Sequence, residues 1–427
     1  MRVLSAFLGV GALLVAGCSS AGVDTDEGGG TSEDKITSSD GTPLEFRFDS
    51  EVVASKDALL KNAALAQLEY LTGMLTTAAR ANAQFRFSDV EARGEATDEG
   101  ADKKRFKYTA VVSVIFPKSE TLPTSYDVAL PLDVTALSAF NRKYDGRCGK
   151  NEYGLETFWH DWNPKYAGCT LDADVHQTRA SVRKHPKGTT DKYPEYDKIW
   201  SDGSLDIVAV YGAISSPSDT DSGARDREAL LAKVKSALTG AEREDLQPAR
   251  GILEHSVLTG KVQVGGATKK VRLVAYFVNE AKSAGSEFFQ SYTSETAKAD
   301  IIVYSGHSGL GENIKALADN MGATAGHYQI AFFNGCQTWG YLGPTMHEKR
   351  RALNGGDARD PNGTKFLDTI VTTLPAYLEP LPTEQILFDA TLKQEKSWQD
   401  LLVDFSGQQW NKHLTTVFGE DDNTFRP

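Results

Sequence analysis

Two short apolar runs, each ending at small residues, constrain the fold of this chain more than any other feature. Residues 301–306 read Ile-Ile-Val-Tyr-Ser-Gly, and residues 330–335 read Ile-Ala-Phe-Phe-Asn-Gly. A continuous apolar run is typical of a strand that is buried on both faces of a parallel sheet. The residues after the two runs, His307 and Cys336, are 29 positions apart, which leaves room for one crossover helix. The spacing therefore predicts two neighbouring parallel strands.

One reactive side chain follows each run. The carboxyl ends of parallel strands are where α/β proteins place their chemistry. A thiol needs a base to become a thiolate at neutral pH, and an imidazole at hydrogen-bonding distance supplies that base. We therefore expect Cys336 and His307 to form a nucleophile–base pair. The alternative is that Cys336 is a buried, unreactive thiol, since free cysteine is among the most buried residue types.

The first cysteine of the chain points to export. Residues 14–18 read Leu-Val-Ala-Gly-Cys and follow Arg2 and an apolar stretch. This pattern resembles the lipobox of bacterial lipoprotein signal peptides and implies removal of residues before a lipidated Cys18. Membrane contact is then expected through the lipid on Cys18, in the bacterial cell envelope at the outer membrane. The polar, Gly-rich residues 19–42 are expected to form a flexible tether.

Two further cysteines, Cys148 and Cys169, bracket a stretch rich in Gly, Asn, Trp and Pro. Disulfides persist in the compartments that exported proteins reach, so we expect these two cysteines to form a bridge. His160, which lies between them, is expected to belong to an aromatic-packed loop and not to a metal site. This assignment leaves Cys336 as the one unpaired cysteine of the body.

Composition and charge bound the organisation of the chain and its partners. The 427 residues are 40% hydrophobic, enough for two cores, and the net charge is −12. An acidic chain repels phosphate backbones, so nucleic acid is not an expected partner. Residues 43–200 are expected to form a smaller α+β domain. Residues 201–427 alternate strands with helices, which predicts an α/β domain with a mostly parallel sheet flanked by helices.

Two local expectations can be compared directly with the structure. The segments 257–264 and 271–278 are strand-like, and Gly265-Gly266 between them predicts a hairpin turn. Residues 365–378 carry apolar side chains at helical spacing, which predicts an amphipathic helix.

The order of the motifs resembles that of the caspase-like cysteine peptidases, the group that includes caspases, gingipains, clostripain, legumain and separase. Their signature is an apolar strand that ends in His-Gly, a crossover, and an apolar strand that ends in a small residue and Cys. Here Ser305-Gly306-His307 and Asn334-Gly335-Cys336 match it, within about residues 205–378. The resemblance implies a caspase-like sheet and hydrolysis of a peptide or protein substrate, with no metal or organic cofactor.

The same resemblance assigns roles to single residues. Cys336 would be the nucleophile and His307 the general base and acid. The backbone amide of Cys336, with that of Ser308 or Gly309, would bind the oxyanion. The sequence departs from the family pattern after the histidine, where Ser308 replaces the usual glycine and Gly309 follows one position later.

Two other functions remain open from the sequence. Residues 306–310 read Gly-His-Ser-Gly-Leu and partly match the nucleophile elbow of α/β-hydrolases, with Ser308 as the nucleophile and His413 as a partner. Leu310 occupies the position at which the elbow needs a small residue. The other alternative is a non-catalytic lipoprotein that binds a partner through its α/β domain, because fold does not fix function.

Overall fold

The computed structural model describes residues 36–86, 89–185, 189–376, 383–408 and 413–427. The expected signal peptide, Cys18 and the tether up to residue 35 lie outside these ranges. Among the helices that it describes, none is both long and apolar enough to cross a membrane.

The described segments contain both helices and strands throughout. The strands are β1 Ile36–Ser38, β2 Gly41–Ser55, β3 Asn82–Gln84, β4 Val90–Ala92, β5 Thr97–Asp98, β6 Lys103–Pro117, β7 Ser125–Pro131, β8 Val175–Lys184, β9 Ser204–Gly212, β10 Thr239–Leu246, β11 Ile252–Val264, β12 Ala267–Val278, β13 Ile301–Ser305, β14 Gln329–Asn334, β15 Leu367–Val371 and β16 Thr416–Phe418. The helices are α1 Leu60–Ala79, α2 Leu137–Tyr144, α3 Tyr196–Ile199, α4 Ser222–Ala237, α5 Gly285–Thr296, α6 Glu312–Asn320, α7 Thr338–Tyr341, α8 Thr345–Leu353, α9 Thr383–Lys393 and α10 Trp398–Gln408.

The C-terminal part of the chain forms a mixed sheet that has nine strands within the described residues. Its order is β1-β16-β15-β14-β13-β9-β12-β11-β10. The five central strands, from β15 to β12, run parallel to one another, and the strands at both edges are antiparallel. The expected neighbourhood of the two apolar runs is confirmed, because β13 and β14 pair in parallel. The sheet is mixed and not mostly parallel. Short connections add the antiparallel strands β11 and β10 at one edge, while β16 and β1, which are distant in sequence, add antiparallel pairs at the other.

The central strands are apolar because both faces of the sheet are covered. Along β9, Ile207, Ala209 and Tyr211 join the core on one face, while Val208 and Val210 join the core on the other. Each of these residues is at most 4% exposed. Full burial of one such aliphatic side chain stabilises the fold by about 1.5–3 kcal/mol. No polar alternation is needed in a strand that meets solvent on neither face.

The β11–β12 hairpin confirms the turn that the two glycines predict. Val264 pairs with Ala267, so Gly265 and Gly266 form the two-residue loop between the strands. Their φ angles are 56° and 79°. A type I′ turn requires positive φ at both central residues, and glycine adopts it without steric cost.

The N-terminal part of the chain forms a second sheet, which is antiparallel. Within the described residues it has seven strands, in the order β3-β6-β2-β8-β7, with β4 and β5 also paired to β6. Helix α1 packs on this sheet through Leu68, Leu71 and Leu75, which are fully buried. Cys148 and Cys169 form the expected disulfide, with 4.7 Å between their Cα atoms. Both sheets belong to one compact unit, Ser32–Pro427.

Two segments differ from expectation. The helix predicted over residues 365–378 is wrong, because residues 367–371 form β15, a buried strand that pairs in parallel with β14. Residues 36–38 lie in the segment expected to be a tether, but they form β1 and pair antiparallel with β16. In both cases a contact distant in sequence decides the local structure.

Candidate functional site

His307 and Cys336 lie at the carboxyl edge of the nine-stranded sheet, at the same level of adjacent strands. Ser305 and Asn334 are register partners across β13 and β14. His307 and Cys336 each lie two residues beyond that pair. β9 is the neighbour of β13 on the side away from β14. The next parallel strand along the chain, β12, lies on the other side of β9, so the direction of the connections reverses between β9 and β13. Ligands of open α/β sheets bind at this kind of switch point.

The imidazole of His307 points towards the end of β9. Its side chain is exposed, and Nε2 lies 2.9 Å from the carbonyl oxygen of Ile214. A carbonyl oxygen can only accept, so Nε2 carries the proton in this hydrogen bond. In the neutral ring, Nδ1 is then the nitrogen with the lone pair. His307 is therefore arranged as a base that acts through Nδ1.

The backbone of His307 is held by two side chains. The Tyr304 hydroxyl donates to the His307 carbonyl oxygen at 2.6 Å, and Asn313 Nδ2 donates to the same oxygen at 2.8 Å. Tyr304 is the fourth residue of β13 and Asn313 is the second residue of α6. The strand and the following helix thus fix the peptide that carries the imidazole.

The thiol of Cys336 points away from His307. Its Sγ donates to the carbonyl oxygen of Ala376, beyond the end of β15, at 3.3 Å. Burial raises the pKa of the Cys336 thiol, and the hydrogen bond to Ala376 offsets only part of this effect. Within the described residues, the expected hydrogen bond between thiol and imidazole is not made. The structure brings the two residues to one edge, with a protonated thiol.

The glycines before the two reactive residues allow their loops to approach closely. A Cβ atom on Gly306 would lie 2.8 Å from the Tyr304 hydroxyl. A Cβ atom on Gly335 would lie 2.8 Å from Ser308 Oγ and 2.9 Å from the Gly306 carbonyl oxygen. Both distances are too short for a side chain. The two loops therefore approach closely at their glycines.

The three amides proposed for the oxyanion are available as donors. Within the part of the chain that the structure describes, the amides of Ser308, Gly309 and Cys336 donate no hydrogen bond. The left-handed conformation after the histidine occurs at Gly309, with φ 59°. The glycine at 309 thus supplies the turn, while Ser308 occupies the position that is glycine in the family pattern.

Ser308 has a structural role at this edge. Its side chain is 3% exposed, and its hydroxyl donates to the carbonyl oxygen of Cys336. His413, the partner considered for a serine nucleophile, is fully buried, and burial lowers its pKa to about 4. The Ser308 hydroxyl thus ties the histidine loop to the cysteine loop, and its proton is directed to a carbonyl and not to an imidazole.

The N-terminal part of the chain covers the segment that follows Cys336. Gln337 Oε1 lies 3.0 Å from His160 Nε2, and Gln337 Nε2 donates to Thr76 Oγ1 at 2.7 Å. A Cβ atom on Gly340 would lie 3.0 Å from the Ala83 carbonyl oxygen. These contacts pack the seven-stranded sheet and its helices against α7.

His160 is the residue at this contact that the sequence did not single out as functional. It does lie among aromatic rings, as expected, with Tyr153 and Trp159 at 5.7 and 5.8 Å between centroids. Burial lowers its pKa, but hydrogen bonds with Asp161 and Gln337 outweigh that effect, so the net shift is upward. The position of His160 between the two bridged cysteines was the only sequence signal, and it does not indicate a contact 177 residues away.

No group of three or more His, Cys, Asp or Glu side chains in the described ranges is arranged to hold a metal ion. No protein-family model matches the chain, and no curated protein matches it. The candidate site therefore rests on its own geometry.

Proposed function

We propose that this protein is an exported, lipid-anchored cysteine endopeptidase of the caspase-like kind, with Cys336 as nucleophile and His307 as general base. The observation that carries the proposal is the pairing of positions at the carboxyl edge. His307 and Cys336 each lie two residues past one register pair, and the His307 ring keeps Nδ1 as its lone-pair nitrogen. Nucleophile and base on adjacent strand ends are the minimum arrangement for covalent acyl transfer.

The chemistry follows from these two groups. His307 Nδ1 takes the thiol proton, and the sulfur of Cys336 attacks the carbonyl carbon of the scissile peptide bond. The resulting oxyanion is bound by backbone amides, for which Ser308, Gly309 and Cys336 are the candidates. The C–N bond breaks as His307 returns the proton to the leaving amine. Water, deprotonated by His307, then attacks the thioester, and the C–S bond breaks as the thiol is protonated again.

One rearrangement must precede the first step. The thiol donates to Ala376, so it has to turn from that carbonyl towards the imidazole. The raised pKa of the buried thiol keeps it protonated in the conformation described, which corresponds to a latent site. Rotation about the Cα–Cβ bond between staggered positions is a small movement, and substrate binding at the edge can supply its free energy.

The envelope location is supported by the disulfide. The Cys148–Cys169 bridge is formed, and such bridges persist in oxidising compartments. Together with the lipobox pattern that ends at Cys18, it favours an exported, lipid-anchored protein.

The experiment is labelling of folded, mature protein with a peptide-like electrophile, followed by intact mass and site mapping. We expect labelling at Cys336 whose rate falls by about 10²-fold or more in His307→Ala, the usual scale for loss of a general base. His327→Ala is the matched control. That histidine is half-buried and bonds to the Ala299 carbonyl oxygen at 3.2 Å, as His307 bonds to Ile214, but it lies before β14 at the opposite end of the strand. In the His327→Ala variant, Cys336 should label at the wild-type rate.

A non-catalytic role is the second candidate, and the orientation of the thiol favours it. The Cys336 thiol is hydrogen-bonded to the Ala376 carbonyl oxygen, and the next residue, Gln337, is hydrogen-bonded to Thr76. These bonds are typical of a thiol that has a structural role and does not react. If Cys336 labels only after denaturation, or at equal rates in wild type and His307→Ala, the peptidase proposal fails. A partner-binding protein then becomes the better reading.

A further inference from the structure

Three buried oxygen atoms without a hydrogen-bond partner lie in neighbouring side chains at the opposite, amino edge of the nine-stranded sheet. They are Asp368 Oδ1, Glu420 Oε2 and Asn423 Oδ1. Asp368 is the second residue of β15. Glu420 is the first residue of the short 3₁₀ turn that follows β16, and Asn423 comes directly after that turn. All three side chains are at most 1% exposed. Buried acceptors are rarely left unpaired, so this group requires an explanation.

Asp368 uses one oxygen fully and leaves the other without a donor. Its Oδ2 accepts from the Tyr328 hydroxyl at 2.6 Å, from Trp398 Nε1 at 2.8 Å and from Asn423 Nδ2 at 2.6 Å. These donors fix the plane and the position of the carboxylate. Its Oδ1 is therefore held in one direction inside the protein.

Glu420 and Asn423 show the same division between a satisfied atom and an unsatisfied one. Glu420 Oε1 accepts from Thr37 Oγ1 at 2.5 Å and from Thr189 Oγ1 at 3.2 Å. Asn423 Nδ2 donates to Asp368 and also to the Tyr193 carbonyl oxygen at 2.8 Å, which uses both of its protons. The amide orientation is fixed by these two acceptors, so the unpaired atom of Asn423 is its oxygen.

The three residues are neighbours in the fold. Asn423 contacts Asp368 directly. Glu420 and Asn423 are three residues apart across one 3₁₀ turn, where side chains at i and i+3 lie on the same face, and the Asn423 amide donates to the Glu420 carbonyl oxygen. The charges of Glu420 and Asp368 are close enough to affect each other. Two nearby lysines bond to other atoms and not to the three free oxygens. Lys192 Nζ donates to the backbone oxygen of Asn423, and Lys198 Nζ donates to Glu195.

We propose that Asp368, Glu420 and Asn423 form a calcium-binding site at the amino edge of the sheet. All the free ligand atoms are oxygens, two of them from carboxylates, which suits a hard divalent cation. Ca²⁺ accepts mixed carboxylate and amide oxygens in flexible geometry, whereas Mg²⁺ demands a near-ideal octahedron and keeps several waters. A set of two carboxylates and one amide is also different from the groups of three acidic, His or Cys side chains that the described ranges lack.

Charge agrees with this geometry. Asp368 and Glu420 are buried carboxylates, and the hydrogen bonds that they accept come from neutral donors. A divalent cation bound here would compensate both charges, with backbone oxygens or water completing the six to eight oxygen ligands that Ca²⁺ takes. The ion would connect β15 to the C-terminal turn directly and, through Thr37 and Thr189, would brace β1 and the segment that leads to β9. The site is independent of the proposed peptidase activity.

The experiment uses Tb³⁺, a luminescent probe of calcium sites, on full-length mature protein first stripped with a chelator. Trp398 donates to Asp368 and is close enough to transfer excitation energy to the ion. We expect one Tb³⁺ per chain with tryptophan-sensitised emission, displaced by Ca²⁺ and not by an equal concentration of Mg²⁺. Ca²⁺ at one hundred times its Kd should raise Tm by about 3 °C for a unit of this size.

Glu420→Gln removes one charge at nearly constant shape and should weaken Tb³⁺ and Ca²⁺ binding by at least about tenfold. The matched control is Asp300→Asn, which neutralises another buried carboxylate at the same edge, ahead of β13, and should leave Tb³⁺ affinity unchanged. The proposal is overturned if wild type gives no emission that Ca²⁺ displaces, or if Glu420→Gln binds Tb³⁺ as wild type does. It is also overturned if Glu420→Gln is stabilised and Tm ignores Ca²⁺, since a shared proton would then occupy the cluster. The wild-type titration decides the question alone if the variant does not fold.

Discussion

Replacement of Asp300 by Asn should stabilise this protein at alkaline pH. Asp300 precedes β13 and is 3% exposed, and its Oδ2 accepts from the Asp206 amide at 2.8 Å. Burial raises the pKa of Asp300 to about 8; the hydrogen bond from the Asp206 amide opposes this, and the carboxylates of Asp206 and Asp202 add to it. The folded protein therefore binds a proton here over a pH range in which the unfolded chain has lost it.

The sign and size follow from linkage. An acid whose pKa is raised on folding contributes most stability at low pH, and that contribution is lost as pH rises through the folded pKa. With a pKa near 3.8 unfolded and about 8 folded, Asp300 alone lowers the free energy of unfolding by about 4 kcal/mol between pH 5 and pH 8. Asparagine does not ionise, so Asp300→Asn should lack this part of the pH dependence.

The assay is urea unfolding of wild type and Asp300→Asn at half-unit steps from pH 5 to pH 8. We expect the free energy of unfolding of Asp300→Asn, relative to that of wild type, to increase steadily with pH, by about 4 kcal/mol over this range. Asp102→Asn, which neutralises an exposed carboxylate in a turn, should follow the wild-type curve. Parallel curves for wild type and Asp300→Asn would refute the reasoning, because they would mean that Asp300 is ionised at no extra cost when buried.

Two further predictions concern the disulfide and the close approach of the site loops. Replacing both Cys148 and Cys169 by Ala should lower the free energy of unfolding by about 3 kcal/mol, the chain-entropy value for a bridge across 21 residues, as measured by urea unfolding; an unchanged midpoint would contradict it. Gly335→Ala should cost about 1–3 kcal/mol in the same assay, since its Cβ would meet the Gly306 carbonyl oxygen at 2.9 Å. Gly343→Ala, which meets no atom within 4 Å, is the control, and equal losses in both would show that the contact is not the cause.

The sequence predicts the central strands because the residues that determine them are adjacent in sequence. A run such as residues 301–305 can be buried on both faces only in a covered sheet, and Gly265-Gly266 suits one kind of turn. The register that places His307 beside Cys336 follows from two such runs and one crossover. These features need only the apolar content of each strand and the residues at its end.

Other features depend on contacts that no local pattern encodes. Residues 367–371 have apolar spacing that fits a helix, but backbone pairing with the edge of β14 makes them a strand. The thiol of Cys336 turns to Ala376 because the segment after β15 brings a carbonyl oxygen to it. The contact of His160 with Gln337 joins parts of the chain that are 177 residues apart. The sequence thus places the reactive residues at one edge, but it does not give the hydrogen bonds that orient them.

The three residues of β1 make the seven-stranded sheet an insertion within the nine-stranded one. Within the described residues, the chain first enters the larger sheet at Ile36, leaves it to build the smaller sheet, and returns at β9. A C-terminal fragment that starts after residue 200 would lack β1. The backbone of β16, whose residues Thr416, Val417 and Phe418 are fully buried in the intact protein, would then be uncovered. An uncovered apolar edge pairs readily with other chains, so such a fragment should aggregate when it is produced alone. Limited proteolysis in the segment between the sheets should, for the same reason, leave two pieces that remain associated.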